Sequence, residues 1–146
     1  EFMRVAAESL GADFNAAMVG RASAFADIDG DGDLDFILTG SGSAPRLLRN
    51  EQKLGHHWLR IELQGKGKNK FAYGARVEVI VNGTVQERLV SPTRGYLSQS
   101  ELTLTFGLGK LEKIERVIIH WPDGTKQEIL DPQVDKLHLI KQADSP

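Results

Sequence analysis

The sequence predicts an all-β protein, an antiparallel β-sandwich or an open barrel. From Leu34 onward, short apolar runs rich in β-branched residues recur at intervals of about ten residues. Several runs alternate apolar and polar residues, as residues 59–63 do, which places one face of a strand against a core. The dipeptides Asn82-Gly83 and Asp123-Gly124 predict hairpins, because these residues accept the positive φ of a type I′ turn. Many short strands joined by tight turns are typical of sandwiches and open barrels.

The expected strands follow one another through most of the chain. They span residues 34–39, 46–50, 57–63, 75–81, 84–90, 102–107, 115–121, 125–130 and 136–140. Tight turns of this kind join strands that pair antiparallel with their neighbours in the chain. Helix is a minor element, one or two turns over residues 4–10 with Gly11 as the stop signal.

The chain divides into two segments that differ in what they can build. Residues 53–146 carry seven of the expected strands and can form a sandwich core by themselves. Residues 1–52 are rich in alanine and glycine and carry two expected strands, which are marginal as an isolated sheet. We therefore expect residues 1–52 to pack on the sandwich or to pair with another copy through an exposed strand edge.

Composition excludes several classes of protein. The 146 residues are 40% hydrophobic and 26% charged with a net charge of -2, as in globular domains and unlike disordered chains. No apolar run approaches the 18 or so residues of a membrane-spanning helix, so no membrane insertion is expected. The lack of cysteine excludes disulfides and thiolate chemistry. The N-terminus has no basic segment followed by an apolar one, so we expect any secretion signal to lie upstream.

Charge is distributed unevenly along the chain. Residues 1–50 contain 8 acidic and 4 basic residues, and five of these acids occupy alternate positions of residues 27–35. The densest basic run, residues 65–70, has three lysines and no interleaved aromatic residue. That pattern is typical of a solvated loop, and no nucleic-acid partner is expected.

The alternating acids predict a calcium site. Calcium takes six to eight oxygen ligands at about 2.3–2.6 Å, so carboxylates at alternate positions of a glycine-containing loop supply many ligands from few residues. With the first aspartate as position 1, carboxylates fall at positions 1, 3, 5 and 9, a glycine at 6 and a main-chain carbonyl at 7. The predicted ligands are Asp27, Asp29, Asp31 and Asp35 through carboxylates and Asp33 through its carbonyl oxygen.

Three other interpretations of this loop differ in the ion they assume. An EF-hand requires a bidentate acid at position 12, which is Leu38 here, and the strand-like residues 36–38 replace its exiting helix. Magnesium is less suitable than calcium because it demands a rigid octahedron and keeps its waters. An acidic solvated turn without any metal remains the alternative.

The same residues resemble two known families. Residues 25–38 (FADIDGDGDLDFIL) with residues 45–50 (PRLLRN) resemble the last FG-GAP or VCBS repeat of a β-propeller. Residues 57–140 resemble the ASPIC/UnbV domain that follows such propellers in bacterial surface proteins and cartilage acidic protein-like proteins. The matching pieces are residues 57–59, 74–77, 95–99, 106–109 and 121–124.

The resemblance implies a particular architecture and site. Residues 1–52 would be the remnant of a propeller blade, and residues 53–146 an ASPIC/UnbV-like sandwich. In the repeat family the aspartates of this loop bind calcium, which implies the same ligands here, Asp27, Asp29, Asp31, Asp35 and the carbonyl of Asp33. The missing blades would lie upstream, so we expect the chain to be a fragment of a larger β-propeller protein.

Candidate catalytic residues are sparse. His56, His57 and His120 show no spacing typical of a metal site, and Ser98 and Ser100 lack the Gly-x-Ser-x-Gly elbow of a serine nucleophile. Residues 95–99 (GYLSQ) either present Tyr96 to a sugar or protein partner or bury it as a core anchor. The two tryptophans, Trp58 and Trp121, are expected in the core.

These patterns together predict a function without catalysis. The expected protein is a calcium-binding recognition or adhesion module, extracellular, at the cell surface or periplasmic. Its expected partners are an unidentified protein or glycan and the upstream propeller blades. The alternatives are a structural cap that stabilises the propeller, a calcium-dependent hydrolase that uses His120, or a carbohydrate-binding accessory domain.

Overall fold

The fold is almost entirely β-structure, as the sequence predicts. The computed structural model describes residue 6 and residues 10–144. Within them, the elements are α1 Ala12–Asn15, β1 Gly20–Ala26, β2 Asp35–Gly40, β3 Ser43–Leu48, β4 His57–Gln64, β5 Arg76–Val81, β6 Thr84–Leu89, β7 Leu104–Gly109, β8 Arg116–His120, β9 Lys126–Leu130 and β10 Lys136–Lys141. The helical turns predicted over residues 4–10 lie almost wholly outside the described residues. The chain forms two units, Glu1–Glu51 with Thr93–Ser100, and Gln52–Pro92 with Glu101–Pro146.

The first unit contains a three-stranded antiparallel sheet in the order β1-β2-β3. Strands β2 and β3 correspond to the two expected strands, whereas β1 was not predicted. The segment Thr93–Ser100 belongs to this unit because it contacts β1. The Phe25 main-chain N–H donates to the Ser100 hydroxyl over 3.3 Å, and the Arg94 guanidinium lies 5.8 Å from the centre of the Phe25 ring.

The second unit is a sandwich of two sheets around one core. One sheet has the order β10-β4-β7 and the other β6-β5-β8-β9, and neither closes into a barrel. Alternate residues of both sheets face inward, as the periodicity predicts, and bury a common apolar cluster. Its fully buried side chains include Phe106, Leu59, Ile61, Val77, Val79, Val117, Ile119 and Ile114. Trp121 lies in this core at 4% exposure, while Trp58 is half-buried.

One strand pair departs from the antiparallel pattern. Strand β10 pairs in parallel with β4, with Lys136 opposite Leu59 and Lys141 opposite Gln64. Strand β7 pairs antiparallel with the other edge of β4. The expectation that consecutive strands pair antiparallel holds for β5–β6 and β8–β9. It is wrong for the other consecutive strands of the sandwich, because β4 and β5, β6 and β7, β7 and β8, and β9 and β10 lie in different sheets. The chain leaves β9 to enter the other sheet, and this crossover permits a parallel pairing.

The two predicted hairpin turns differ from each other. Asn82 and Gly83 both have positive φ, 48° and 70°, as a type I′ turn requires. Around the second turn only Gly124 has a positive φ, 87°, so the type I′ expectation is wrong for Asp123-Gly124. Instead, the Gly124 N–H donates to the Trp121 carbonyl over 3.0 Å, and Pro122 occupies the second position, where its fixed φ is favourable. Within the described residues, no helix has the length and apolar character needed to span a bilayer.

Candidate metal centre

The aspartate loop connects two paired strands. Strand β1 ends at Ala26 and β2 begins at Asp35, and these two residues lie opposite each other in the antiparallel register. The loop between them therefore starts and ends at one place. Because of this pairing, Asp27 and Asp35 are spatial neighbours although eight positions separate them in the chain.

The Asp27 carboxylate organises the turn. Its Oδ1 accepts the main-chain N–H groups of Gly30 over 2.7 Å and of Asp31 over 3.2 Å, and its Oδ2 accepts that of Gly32 over 3.0 Å. Gly30 and Gly32 have φ values of 79° and 94°, which residues with a side chain rarely adopt. The glycines thus permit successive amides of the loop to face one carboxylate.

The Asp35 carboxylate anchors the loop to the rest of its unit. It is 2% exposed, and its Oδ2 accepts the Ile28 main-chain N–H over 3.0 Å. Its Oδ1 accepts the Asn50 main-chain N–H over 2.8 Å, just beyond the end of β3. Both carboxylate oxygens therefore satisfy donors that a smaller side chain would leave unpaired.

Three of the predicted ligands converge. One carboxylate oxygen from each of Asp27, Asp29 and Asp35 lies within 4.8 Å of the other two. Two oxygens bound to one calcium at about 2.5 Å are at most about 5 Å apart, so the observed separation fits a shared ion. All three donors are oxygens, the ligand type that calcium prefers. The residues present therefore fit a hard divalent cation.

The other two predicted ligands take different positions. The Asp31 carboxylate accepts the Asp33 main-chain N–H over 2.9 Å and is exposed. Within the described residues, the group of converging acids contains neither Asp31 nor Asp33. Their roles, a carboxylate ligand and a carbonyl ligand, stay predictions.

A basic side chain that the sequence pattern did not indicate borders the group. The Arg49 guanidinium forms an ion pair with Asp29 and lies 3.0 Å from the Glu51 carboxylate. The charges of Glu51 and then Asp29 raise the pKa of Arg49 above its usual value. Arg49 would therefore compete with any metal ion bound at Asp29. The position of Arg49 depends on the path of the chain after β3. The sequence around the aspartates therefore does not indicate that this arginine lies beside them.

The candidate catalytic residues have structural partners. His57 Nδ1 lies 2.6 Å from Asp135 Oδ2, and His120 Nε2 lies 3.1 Å from Glu78 Oε1. The Ser98 hydroxyl donates to the Tyr96 carbonyl over 2.7 Å. In the part of the chain that the structure describes, no serine hydroxyl forms a hydrogen bond with a histidine.

The segment 95–99 is exposed at its centre. Tyr96 is 71% exposed and Leu97 is 84% exposed, so the interpretation of Tyr96 as a buried core anchor is wrong. Leu97 also has a positive φ of 48°. The alternative interpretation, presentation to a sugar or a protein partner, stays a prediction.

Comparison with known proteins identifies the second unit. A sequence model described as "ASPIC and UnbV" matches residues 65–146. Cartilage acidic protein 1 of Xenopus tropicalis is 35% identical over 109 residues, which cover 72% of this chain and 16% of that protein. The Homo sapiens and Mus musculus proteins of the same name are 34% and 33% identical over 109 residues.

These matches have defined limits. The chain spans about one sixth of the length of these relatives, 16% or 17% of each. The family match begins at residue 65, so it does not reach the aspartate loop, and the FG-GAP or VCBS resemblance of the first segment stays a prediction. The match does cover more than half of the chain and most strands of the sandwich, β5 to β10. The chain belongs to the ASPIC and UnbV family.

Proposed function

We propose that this chain is a calcium-binding, non-catalytic recognition or adhesion module of a larger extracellular protein. The convergence of Asp27, Asp29 and Asp35 within 4.8 Å carries the calcium part of the proposal. The extracellular part is supported by the similarity to proteins whose name refers to cartilage. A calcium site of modest affinity is also occupied where calcium is abundant, which is outside cells.

The metal would be held by the loop described above. Asp27, Asp29 and Asp35 would supply carboxylate oxygens, and Asp31 and the Asp33 carbonyl are the proposed additional ligands. Bound calcium would neutralise the mutual repulsion of carboxylates, which at about 5 Å and an effective dielectric near 20 is roughly 3 kcal/mol per pair. The loop shape itself comes from the chain, through the amides that face Asp27.

Thermal stability in calcium and in chelator tests this proposal. With a dissociation constant of about 10 µM and about 1 mM calcium, binding to the folded state alone adds roughly 2.7 kcal/mol of stability. Asp27→Ala should remove most of this response, whereas Asp33→Ala should remove little, because the proposed ligand there is the carbonyl. Equal stability in calcium and in chelator would contradict the proposal.

The first unit has the surface expected of a propeller blade. Its sheet exposes apolar side chains from both faces of adjacent strands: Phe36 is 47% exposed, Ile37 41% and Leu47 51%. Because neighbouring residues of a strand point to opposite faces, Phe36 and Ile37 present apolar surface on both sides. Neighbouring blades cover both faces of a blade, so we propose upstream propeller blades as the intramolecular partner.

A propeller-containing version of the protein tests this partner. Hydrogen exchange of β1 to β3 should slow when the upstream blades are present, because packing removes their strands from solvent. Exchange rates that are identical in the short and the long proteins would contradict the blade assignment.

The second candidate function is a structural cap. In this function, the exposed apolar faces of the β1-β2-β3 sheet would pack against the neighbouring blade. The chain would then close and stabilise the propeller without binding a separate ligand. Glycan arrays and pull-downs with purified candidate proteins, done with the full-length protein, distinguish the two functions. Reproducible binding of a glycan or a protein supports recognition. If neither assay detects a ligand, the structural cap is favoured.

The proposal excludes catalysis by this chain. It is supported by the hydrogen-bond partners of the candidate catalytic residues. His57 pairs with Asp135 and His120 with Glu78. The Ser98 hydroxyl donates to a main-chain carbonyl and not to a histidine. A screen of ester, glycoside and phosphoester substrates tests it. Turnover that is abolished by His120→Ala would replace the proposal with a hydrolase.

A further inference from the structure

The loop between β4 and β5 is held rigidly by its own backbone. The Gly65 N–H donates to the Lys70 carbonyl over 3.0 Å, and the Asn69 side chain accepts from the Tyr73 N–H and donates to the Tyr73 carbonyl, both over 2.9 Å. A side chain at Gly65 would collide with the Asn69 carbonyl oxygen, at 2.3 Å. The loop is thus closed too tightly to rearrange freely.

A strained and buried residue lies within this loop. Ala72 is 1% exposed and has a φ of 53°, a conformation that residues with a side chain seldom adopt. Such strain costs about 1–3 kcal/mol and persists only where surrounding structure enforces it, often at binding sites. Ala72 therefore fixes the residues on either side of it.

The two neighbours of Ala72 are exposed aromatic residues. Phe71 is 59% exposed and Tyr73 is 42% exposed, and their ring centres lie 5.6 Å apart with an angle of 32° between the planes. The loop therefore presents two adjacent rings to solvent from a rigid base. Exposed aromatic pairs of this kind bury large area at low entropic cost when a ligand covers them.

Three lysines precede the two rings in the same loop. Lys66 forms an ion pair with Asp144 over 2.6 Å. Lys68 and Lys70 are exposed, and within the described residues neither forms an ion pair. The chain as a whole has a net charge of -2, so it has no general attraction to polyanions, and any such binding must be local.

We propose that this surface, Phe71 and Tyr73 with Lys68 and Lys70, binds a sulfated polysaccharide. The C–H faces of sugar rings pack on the electron-rich faces of aromatic rings, and lysine ammonium groups pair with sulfates. Single-stranded nucleic acid also stacks on exposed rings, but its sites line a basic groove that follows the strand, and two lysines of one loop do not form such a groove. The inference names a ligand for the recognition role proposed above and rests on that role, but its residues are separate from the aspartate loop.

Heparin is the probe that tests the aromatic pair. The wild-type protein should bind immobilised heparin at low salt and should not bind neutral dextran. Phe71→Ala with Tyr73→Ala should weaken heparin binding at least about thirtyfold, because each of the two lost stacking contacts contributes about fivefold or more. Phe14→Ala, which removes another exposed ring, is the matched control and should leave binding unchanged.

A second pair of variants tests the lysines. Lys68→Gln with Lys70→Gln should weaken binding several-fold at low salt and flatten its salt dependence. Lys110→Gln with Lys126→Gln changes the net charge equally and should have little effect. Circular dichroism and melting temperature of every variant establish that it is folded.

The outcomes separate this inference from the calcium proposal. Three results would overturn the polysaccharide surface. The first is a wild-type protein that does not bind heparin at all, and the second is one that binds a single-stranded oligonucleotide equally well. The third result is heparin binding that is unchanged in both the aromatic double variant and the Lys68/Lys70 double variant. Heparin binding measured in calcium and in chelator should be the same, because the aspartates are not part of the surface. A calcium effect on stability without heparin binding refutes this inference alone, and heparin binding without a calcium effect refutes the calcium proposal alone.

Discussion

Replacing Asp35 by alanine should destabilise the first unit even when no calcium is present. The buried Asp35 carboxylate accepts the main-chain N–H groups of Ile28 and Asn50, over 3.0 and 2.8 Å. Both hydrogen bonds are partly buried, so each costs about 0.5–1.5 kcal/mol when its acceptor is removed, and the two together cost about 1–3 kcal/mol. The effect arises from hydrogen bonding alone and is separate from any loss of a metal ligand.

Hydrogen exchange in chelator measures this cost locally. A loss of about 1–3 kcal/mol corresponds to about five- to 150-fold faster exchange of the amides in β1 and β2. Asp31→Ala is the matched control, because the exposed Asp31 carboxylate accepts one N–H, that of Asp33, and its loss should accelerate exchange less than about tenfold. Asp35→Asn, which keeps one acceptor oxygen, should fall between them. Exchange in β1 and β2 that is unchanged in Asp35→Ala would refute the reasoning.

Three further predictions concern charge and packing. Arg49→Gln should tighten calcium binding about three- to tenfold, measured by calorimetry, because it removes a cation that pairs with Asp29; unchanged affinity would show that Arg49 does not compete. Burial raises the pKa of Asp135, but hydrogen bonds from His57 and from a main-chain N–H outweigh it and lower that pKa. The lowered pKa stabilises the folded protein at pH values above the unfolded-state pKa of about 3.9, and this stabilisation is lost as the pH falls through the folded-state pKa. The melting temperatures of the wild type and Asp135→Asn should therefore differ at about pH 6 and converge by about pH 2. Phe106→Ala, at a fully buried position, should cost about 3–5 kcal/mol in urea unfolding, and a cost below about 1 kcal/mol would contradict the shared core.

The sandwich was predictable because its strands carry local signals. Strands β4, β5 and β7 alternate inward apolar residues with mostly polar or glycine residues on the other face, and the turn at Asn82-Gly83 adopts the conformation that its sequence favours. The parallel pairing of β10 with β4 was not predictable, because periodicity defines the faces of a strand and says nothing of its partner. Strand β1 was missed since Gly20–Ala26 consists mostly of small residues with weak β-propensity.

The candidate site was predictable in part for the same reason. Alternating aspartates are a local pattern, and the pairing of β1 with β2 brings three of them together. The contact between Arg49 and Asp29 joins residues that are 20 positions apart and depends on how β3 ends. The exposure of Phe71 and Tyr73 depends on the positive φ of Ala72, a conformation that alanine does not signal.

Calorimetric titration of calcium into the metal-free protein tests the central claim most directly. We expect one calcium per chain with a dissociation constant of about 10 µM, no comparable heat from magnesium at the same concentration, and loss of binding in Asp27→Ala with retention in Asp33→Ala. Absence of saturable calcium binding would contradict the account and leave the loop an acidic turn. Asp33→Ala that abolishes binding as completely as Asp27→Ala would contradict the assignment of the ligands.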